Sequence, residues 1–169
     1  MKPYYITTPI YYVNDKPHIG HAYTTLACDV LARFKRLDGY SVKFLTGTDE
    51  HGLKVQAAAE KAGVSPQEFT DNVSQNFREL LDVMNFSNDQ FIRTTQPRHY
   101  ESCQAIWKRL MDRGFITLDK YEGWYSVRDE AFFTENELVG GKAPTGAPVS
   151  WVEEPSYFFN LSEWQQPLL

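Results

Sequence analysis

The chain has 169 residues, of which 42% are hydrophobic and 15% aromatic, enough to bury a sizeable core in one domain or in a domain with an insertion. Its formal charge of −5 and the lack of any Lys or Arg run argue against a strongly basic nucleic-acid surface within these residues. No signal peptide or long apolar run is visible, so we expect no membrane span and a cytoplasmic location.

A strand, a loop and a helix are predicted at the start of the chain. Residues 4–8 are aromatic and β-branched, which is typical of a strand. After a loop flanked by prolines, apolar residues recur every three or four positions and predict a helix from Ile19 to Asp38 that ends at Gly39. Because this order brings free backbone N–H groups to phosphate in nucleotide-binding folds, the sequence predicts a nucleotide site.

Two histidines, His18 and His21, lie at the mouth of this helix, where their ring nitrogens can face a ligand. Residues 41–46 predict a second strand, which is parallel to the first because a helix connects the two. Parallel strands end at one edge of a sheet, so we expect Asp49 and His51 to come close to the two histidines.

The remaining elements alternate in the same way before the chain changes character. Helices are predicted over 53–62, 65–84 and 100–111, with a short strand over 90–94 between the last two, which gives an α/β fold with a doubly wound sheet. Over 115–151, short aromatic runs alternate with Gly and Pro and are typical of hairpins in a small insertion.

The last residues predict an interrupted element. Ser162 is interpreted as the N-cap of a helix, yet only seven residues follow it. The predicted parallel strands make only half of a doubly wound sheet, so we expect this chain to be the N-terminal piece of a longer protein. Glu153 and Glu154 are interpreted as a solvated turn and not as a catalytic pair.

Two motifs carry a family resemblance. Residues 18–21 (HIGH) resemble the signature of class I aminoacyl-tRNA synthetases, and residues 7–14 (TTPIYYVN) with 47–52 (GTDEHG) resemble the methionyl branch. The resemblance implies the first half of a Rossmann-like parallel sheet over 1–114. It also implies a β-rich connective-peptide insertion over 115–169, truncated at its C-terminal end.

The reaction implied by the resemblance is that of a methionine-tRNA ligase. L-methionine is activated by ATP, which Mg²⁺ accompanies, to methionyl-adenylate, and the methionyl group then passes to methionine tRNA. The resemblance places the main tRNA contacts in regions absent from this chain. Because the C-terminal part would complete the site, we expect the isolated chain to be inactive.

The resemblance also implies roles for single residues. His18 and His21 are catalytic and bind ATP as hydrogen-bond donors to its phosphates, and Asn14 and Gly20 complete the ATP contacts. Gly20 lacks a side chain where a flat base could lie against the backbone. The implied methionine contacts are an apolar side chain, an aromatic ring against the thioether and a carboxylate for the ammonium group: Ile10, Tyr12 and Asp49.

The insertion departs from the family pattern, in which it often bears a zinc knuckle with paired cysteines. The matching positions hold Ser126 and Asp129, and the later pair is missing around 143–145, so we predict no structural zinc. Aromatic packing is expected to hold the insertion instead, among Trp124, Tyr125, Phe132, Phe133 and Trp151.

Three alternatives stay open at this point. A nucleotidyltransferase of related fold could use the same HxGH motif on another adenylylated substrate. A metal-dependent hydrolase could bind its ion through His18 and His21 with Asp49 or His51. The chain could also fold or bind without chemistry of its own. For His51, bracing the second turn is as strong an interpretation as a direct ligand role.

Overall fold

β3 (Ser41–Asp49) is the central strand of a four-stranded parallel sheet. On one side it pairs first with β1 (Pro3–Thr7) and then with β2 (Tyr11–Tyr12). On the other side it pairs with β4 (Gln90–Arg93). The register shows this arrangement, since Leu45 lies between β1 and β4 and Thr48 lies between β2 and β4. The computed structural model therefore has the parallel α/β sheet that the sequence predicts, with β2 as an additional short strand.

The structure describes all residues from Met1 to Leu169 and divides them into two units, Met1–Cys103 and Gln104–Leu169. The helices that connect or follow the parallel strands are α1 (Ile19–Leu37), α2 (Leu53–Ala62), α3 (Pro66–Val83) and α4 (Pro97–Asp112). The division between the units falls within α4, and the domain boundary at residue 114 stays a prediction.

The long helix α1 forms where the apolar spacing predicts it, and Gly39 after its end has a φ of 81°. Its apolar stripe, however, is largely exposed: Ile19, Tyr23, Leu26, Val30, Phe34 and Leu37. The buried positions are instead Thr25, Asp29 and Ala32. The spacing of apolar residues thus predicted the helix but not the face that is covered.

The buried hydrophobic core of the first unit lies between the segment around β2 and the helices α2 and α3. Tyr11 and Val13 pack with Val55 of α2 and with Val73 and Phe77 of α3. Here the apolar stripe of α3 is the buried face, as its amphipathic pattern predicts. Ser65 caps this helix by accepting the backbone N–H of Glu68 at 3.2 Å.

The second unit contains a three-stranded antiparallel sheet, in agreement with the hairpin pattern. β5 (Ile116–Ser126) lies between β6 (Ala131–Phe133) and β7 (Ser150–Phe159), and α5 (Gln165–Leu168) is one short turn near the end. The expected aromatic packing is confirmed for Trp124, Tyr125, Phe132 and Trp151, and a ring contact of Phe133 stays a prediction. The rings of Trp124 and Trp151 lie 5.4 Å apart and those of Tyr125 and Phe132 lie 4.8 Å apart.

Two interpretations of the C-terminal region are wrong. Ser162 is not an N-cap but lies inside a 3₁₀ turn, Leu161–Trp164, whose N-cap is Asn160. Glu153 and Glu154 do not form a turn, because both lie within β7. Glu153 is the register partner of Glu122 on β5, and its carboxylate lies 2.7 Å from the ammonium group of the diagonal neighbour Lys120, a cross-strand ion pair on an exposed surface.

Candidate active site

The two turns that carry the sequence motifs lie at one edge of the first sheet. Tyr12 of β2 is the register partner of Asp49, the last residue of β3. The Tyr12 hydroxyl donates a hydrogen bond to the backbone carbonyl of His51 at 2.9 Å. The loop after β2 and the turn after β3 therefore begin side by side. The close approach of Asp49 and His51 to His18 and His21 stays a prediction.

His18 and His21 cap the helix that they open. The Nδ1 atom of His18 accepts the backbone N–H of Gly20 at 3.1 Å, and the Nδ1 atom of His21 accepts the backbone N–H of His18, also at 3.1 Å. The two rings stack with centroids 3.9 Å apart. Because an accepting nitrogen carries no proton, each neutral ring bears its proton on Nε2 and can donate from that atom.

The His21 ring sits in an aromatic environment. Its centroid lies 4.8 Å from the Tyr11 ring and 5.1 Å from the Phe77 ring, with both contacts edge-to-face. Burial lowers the pKa of His21, and the neighbouring His18 lowers that pKa further. This direction favours the neutral His21 imidazole, which can donate a hydrogen bond from Nε2.

Gly20 has a defined steric role in this arrangement. A Cβ atom at position 20 would lie 2.9 Å from Cε1 and 3.1 Å from Nδ1 of the His18 ring. The missing side chain thus makes room for the capping imidazole. Contact between Gly20 and a nucleotide base stays a prediction.

The turn after β3 depends on a glycine as well. Gly52 has a φ of 111°, and a Cβ atom there would lie 2.4 Å from the Tyr12 hydroxyl oxygen. Asp49 and Tyr12 are half-buried beside this turn, whereas Ile10 is 44% exposed. The edge therefore presents an apolar side chain, an aromatic ring and a carboxylate at adjoining positions.

A buried charge network lies directly behind this turn, and sequence reasoning missed it. The Glu50 side chain is fully buried and accepts four hydrogen bonds, from Thr48, from Thr95 and from two guanidinium nitrogens of Arg93. Arg93 also donates to Asp71 of α3. These bonds to Glu50 and Asp71 raise the pKa of Arg93, and the bond from Arg93 lowers the pKa of Asp71. The only sequence signal was the position of Glu50 inside GTDEHG.

His51 braces the turn. Its Nδ1 atom lies 3.1 Å from the Thr94 hydroxyl, and its Nε2 atom lies 3.0 Å from the Tyr100 hydroxyl. Both ring nitrogens thus have protein partners, which favours the bracing interpretation over a direct ligand role.

The chain offers no preformed metal centre. No group of three or more His, Cys, Asp or Glu side chains is arranged to hold an ion, so the hydrolase alternative lacks a ligand set. In the insertion, the Asp129 carboxylate accepts hydrogen bonds from the hydroxyls of Ser126 at 2.8 Å and of Thr145 at 2.6 Å. This oxygen-only hub does not fit the sulfur and imidazole ligands that structural zinc prefers.

Asn14 is exposed in the loop after β2 and lines an open cavity of about 680 Å³. The opposite walls come from α2 and α3, through Ala58, Lys61, Phe69 and Val73. Of the residues predicted to contact ATP or methionine, Asn14 is the one in this cavity.

Comparisons with known proteins point to one family. The family described as tRNA synthetases class I (M) matches residues 4–149. The chain is 65% identical over 167 residues to the methionine–tRNA ligase of Rickettsia felis and 59% identical over 171 residues to that of Mesorhizobium japonicum. In both cases 98% of this chain is covered, but the chain spans only 33% of the relative's length.

Solved structures agree with the sequence matches. The methionyl-tRNA synthetase of Mycobacterium tuberculosis in complex with methionyl-adenylate aligns with a TM-score of 0.87 at 53% identity. That alignment covers 99% of this chain and 34% of the synthetase. No helix of the chain has the length and apolar character needed to cross a membrane.

Proposed function

The chain belongs to the class I tRNA synthetases of the methionyl type, and from this membership we propose that it supplies the ATP and methionine sites of a methionine-tRNA ligase. The proposal is carried by the pairing of Tyr11 and Tyr12 with Thr48 and Asp49, together with the packing of the His21 ring on the Tyr11 ring, which supports a site between the HIGH helix start and the GTDEHG turn. A relative of this chain has been solved with methionyl-adenylate, the product that two such adjoining sites would form.

In the first step the methionine carboxylate attacks the α-phosphorus of ATP, the bond to the β-phosphate oxygen breaks, and pyrophosphate leaves. The Nε2–H groups of His18 and His21 donate to phosphate oxygens as negative charge shifts onto the leaving group. Asn14 and Gly20 complete the ATP contacts. No covalent bond to the protein is needed, so catalysis consists of positioning and charge stabilisation. Mg²⁺ enters with ATP as part of the substrate.

Methionine binds beside the triphosphate in this proposal. The Asp49 carboxylate pairs with the substrate ammonium group, Tyr12 packs against the thioether, and Ile10 provides an apolar wall. In the second step a hydroxyl at the 3′ end of methionine tRNA attacks the activated carbonyl carbon, and AMP leaves. The main tRNA contacts belong to parts of the enzyme outside this chain, and the proposed location is the cytoplasm, where tRNA is charged.

The proposed organisation assigns residues 1–114 to the N-terminal half of the catalytic domain and 115–169 to the connective-peptide insertion. The chain spans a third of the length of its relatives. We therefore propose that the remaining two thirds are required for turnover and that the chain alone binds ligands weakly or not at all.

Methionine-dependent exchange of pyrophosphate into ATP tests the proposal. The assay compares the chain alone with a completed protein, in which residues 1–169 are followed by the remaining two thirds of the Rickettsia felis relative. Exchange by the completed protein that requires methionine and is absent with leucine is the expected result. Adenylyl transfer that ignores methionine would instead identify the nucleotidyltransferase alternative, and full exchange by the chain alone would refute the need for the rest.

A further inference from the structure

The charge network of Glu50 and Arg93 behind the turn after β3 carries a large desolvation penalty. Glu50 is fully buried at its side chain, and Arg93 is 16% exposed at its side chain. Burying a carboxylate and a guanidinium group removes both from water, and a well-packed apolar pair of the same volume stabilises a fold as well or better. Stability alone therefore does not account for these two residues.

The network fastens the turn at several points. The backbone N–H of Glu50 donates to the Thr94 hydroxyl at 2.9 Å, and the same hydroxyl lies 3.1 Å from Nδ1 of His51. The two side-chain bonds from Arg93 to Glu50 measure 2.7 and 2.9 Å and approach both carboxylate oxygens. A two-pronged bond of this kind fixes orientation as well as distance.

The network orients the two residues that flank Glu50. Asp49 directly precedes Glu50, and His51 directly follows it and accepts the Tyr12 hydroxyl at its backbone carbonyl. We propose that Glu50 and Arg93 are positioning residues, which hold the turn after β3 so that Asp49 meets the substrate ammonium group and Tyr12 meets its side chain. This inference rests on the methionine site of the proposed function.

A matched control exists at the other end of the same sheet. Asp29 is also a buried carboxylate, and it accepts the backbone N–H and hydroxyl of Ser87, each at 2.6 Å, and Nε of Arg33 at 2.7 Å. Ser87 precedes β4, whereas Arg93 is its last residue, so the two networks lie at opposite ends of that strand. Loss of either carboxylate should lower the stability of the fold, but only loss of the Glu50 carboxylate should weaken methionine binding.

The test measures methionine KM, ATP KM, kcat and Tm for Glu50→Gln and Asp29→Asn in the completed protein. For Glu50→Gln we expect methionine KM to rise about tenfold while ATP KM stays within about twofold. For Asp29→Asn we expect a comparable fall in Tm with both KM values unchanged. An unchanged methionine KM in Glu50→Gln, or an equal rise in both variants, would overturn the positioning role.

A milder variant covers the case in which Glu50→Gln does not fold. Thr95→Val removes one donor to the Glu50 carboxylate and leaves both charges in place. It should raise methionine KM about threefold with little change in Tm. No change in KM with this folded variant counts against the proposal.

Amide hydrogen exchange on the 169-residue chain separates this inference from the proposed function. In Thr95→Val the amides of residues 50–52 should exchange about tenfold faster than in the unaltered chain, while those of β1 keep their rates. If the completed protein shows no methionine-dependent activity, the proposed function fails, yet this measurement still decides whether the network holds the turn. If residues 50–52 exchange at the same rate in Thr95→Val and in the unaltered chain, or speed up no more than β1 does, the positioning role is refuted.

Discussion

The backbone N–H of His18 donates to Nδ1 of His21 at 3.1 Å, so a histidine of the HIGH motif serves as a helix cap as well as a candidate catalytic group. The two roles use different atoms of the ring. Nδ1 faces the helix and Nε2 is left to donate to a phosphate. Amide side chains that imitate one nitrogen or the other can therefore separate capping from catalysis.

The variant His21→Asn places an acceptor near the position of Nδ1 but has no group at Nε2. We expect its Tm to stay close to that of the unaltered protein, while the methionine-dependent exchange rate falls by about 10²–10³-fold because a donor to the developing charge is lost. Methionine affinity should change far less than the rate.

The complementary variant His21→Gln keeps an amide donor near Nε2, and its side-chain oxygen can accept the His18 N–H, as glutamine does at this capping-box position. It should keep a Tm close to that of the unaltered protein and retain more activity than His21→Asn. Thermal melts and exchange rates of the two variants check this. Equal losses of rate and of methionine binding in His21→Asn would count against a role in the transition state.

Gly20→Ala should separate stability from activity. Alanine favours helix by up to about 1 kcal/mol over glycine, and loss of the His18 cap costs about as much, so we expect Tm to change little. The new Cβ would nevertheless push the His18 ring from its cap, since it would lie 2.9 Å from Cε1. The exchange rate should fall about tenfold or more. Thr24→Ala, which removes a hydroxyl bonded to the Gly20 carbonyl one turn away, is the control and should keep the rate.

Asp49→Asn should affect methionine and not ATP. If Asp49 pairs with the substrate ammonium group as proposed, removing its charge should raise methionine KM about 10²-fold and leave ATP KM within about twofold. Initial-rate measurements over a range of both substrates give the two constants. Asp38→Asn, an exposed carboxylate just after the far end of α1, should change neither. A joint rise in both constants would indicate that Asp49 supports the whole edge and not the amino acid alone.

The Asp129 hub should make the insertion sensitive to acid. The Thr145 hydroxyl, followed by that of Ser126, holds the pKa of Asp129 below its ordinary value. A depressed folded-state pKa contributes stability above the unfolded pKa of about 3.9, and that stability is lost as pH falls below it. Thermal melts followed by circular dichroism should therefore show a Tm that falls as the pH drops below about 3.9. Asp129→Asn should weaken this pH dependence, and an identical acid profile in the variant would contradict the assignment.

Metal analysis of the purified chain tests the departure from the zinc-knuckle pattern. Since Ser126, Asp129 and Thr145 satisfy one another through oxygen atoms, we expect no stoichiometric zinc and no loss of Tm on chelation. One zinc per chain, with a fall in Tm on its removal, would contradict this prediction and revive the hydrolase alternative.

The sequence predicted those features that depend on nearby residues. The spacing of apolar residues located α1 and α3, Gly39 and Ser65 marked helix ends, and the alternation of strands with helices gave a parallel sheet. Because parallel strands open at one edge, the sequence also predicted that the HIGH and GTDEHG turns would meet, and the pairing of β2 with β3 supports that prediction.

The structure alone decided which atoms those turns use and which surfaces are covered. Within this chain, which spans a third of the length of its relatives, Thr25, Asp29 and Ala32 of α1 are buried and its apolar stripe is exposed, a distribution that periodicity alone did not predict. Likewise, Glu50 and Arg93 are 43 residues apart in sequence, and their contact exists only because β4 pairs beside β3. Local spacing determines helices and turns, whereas contacts between distant residues arise only when the sheet brings its strands together.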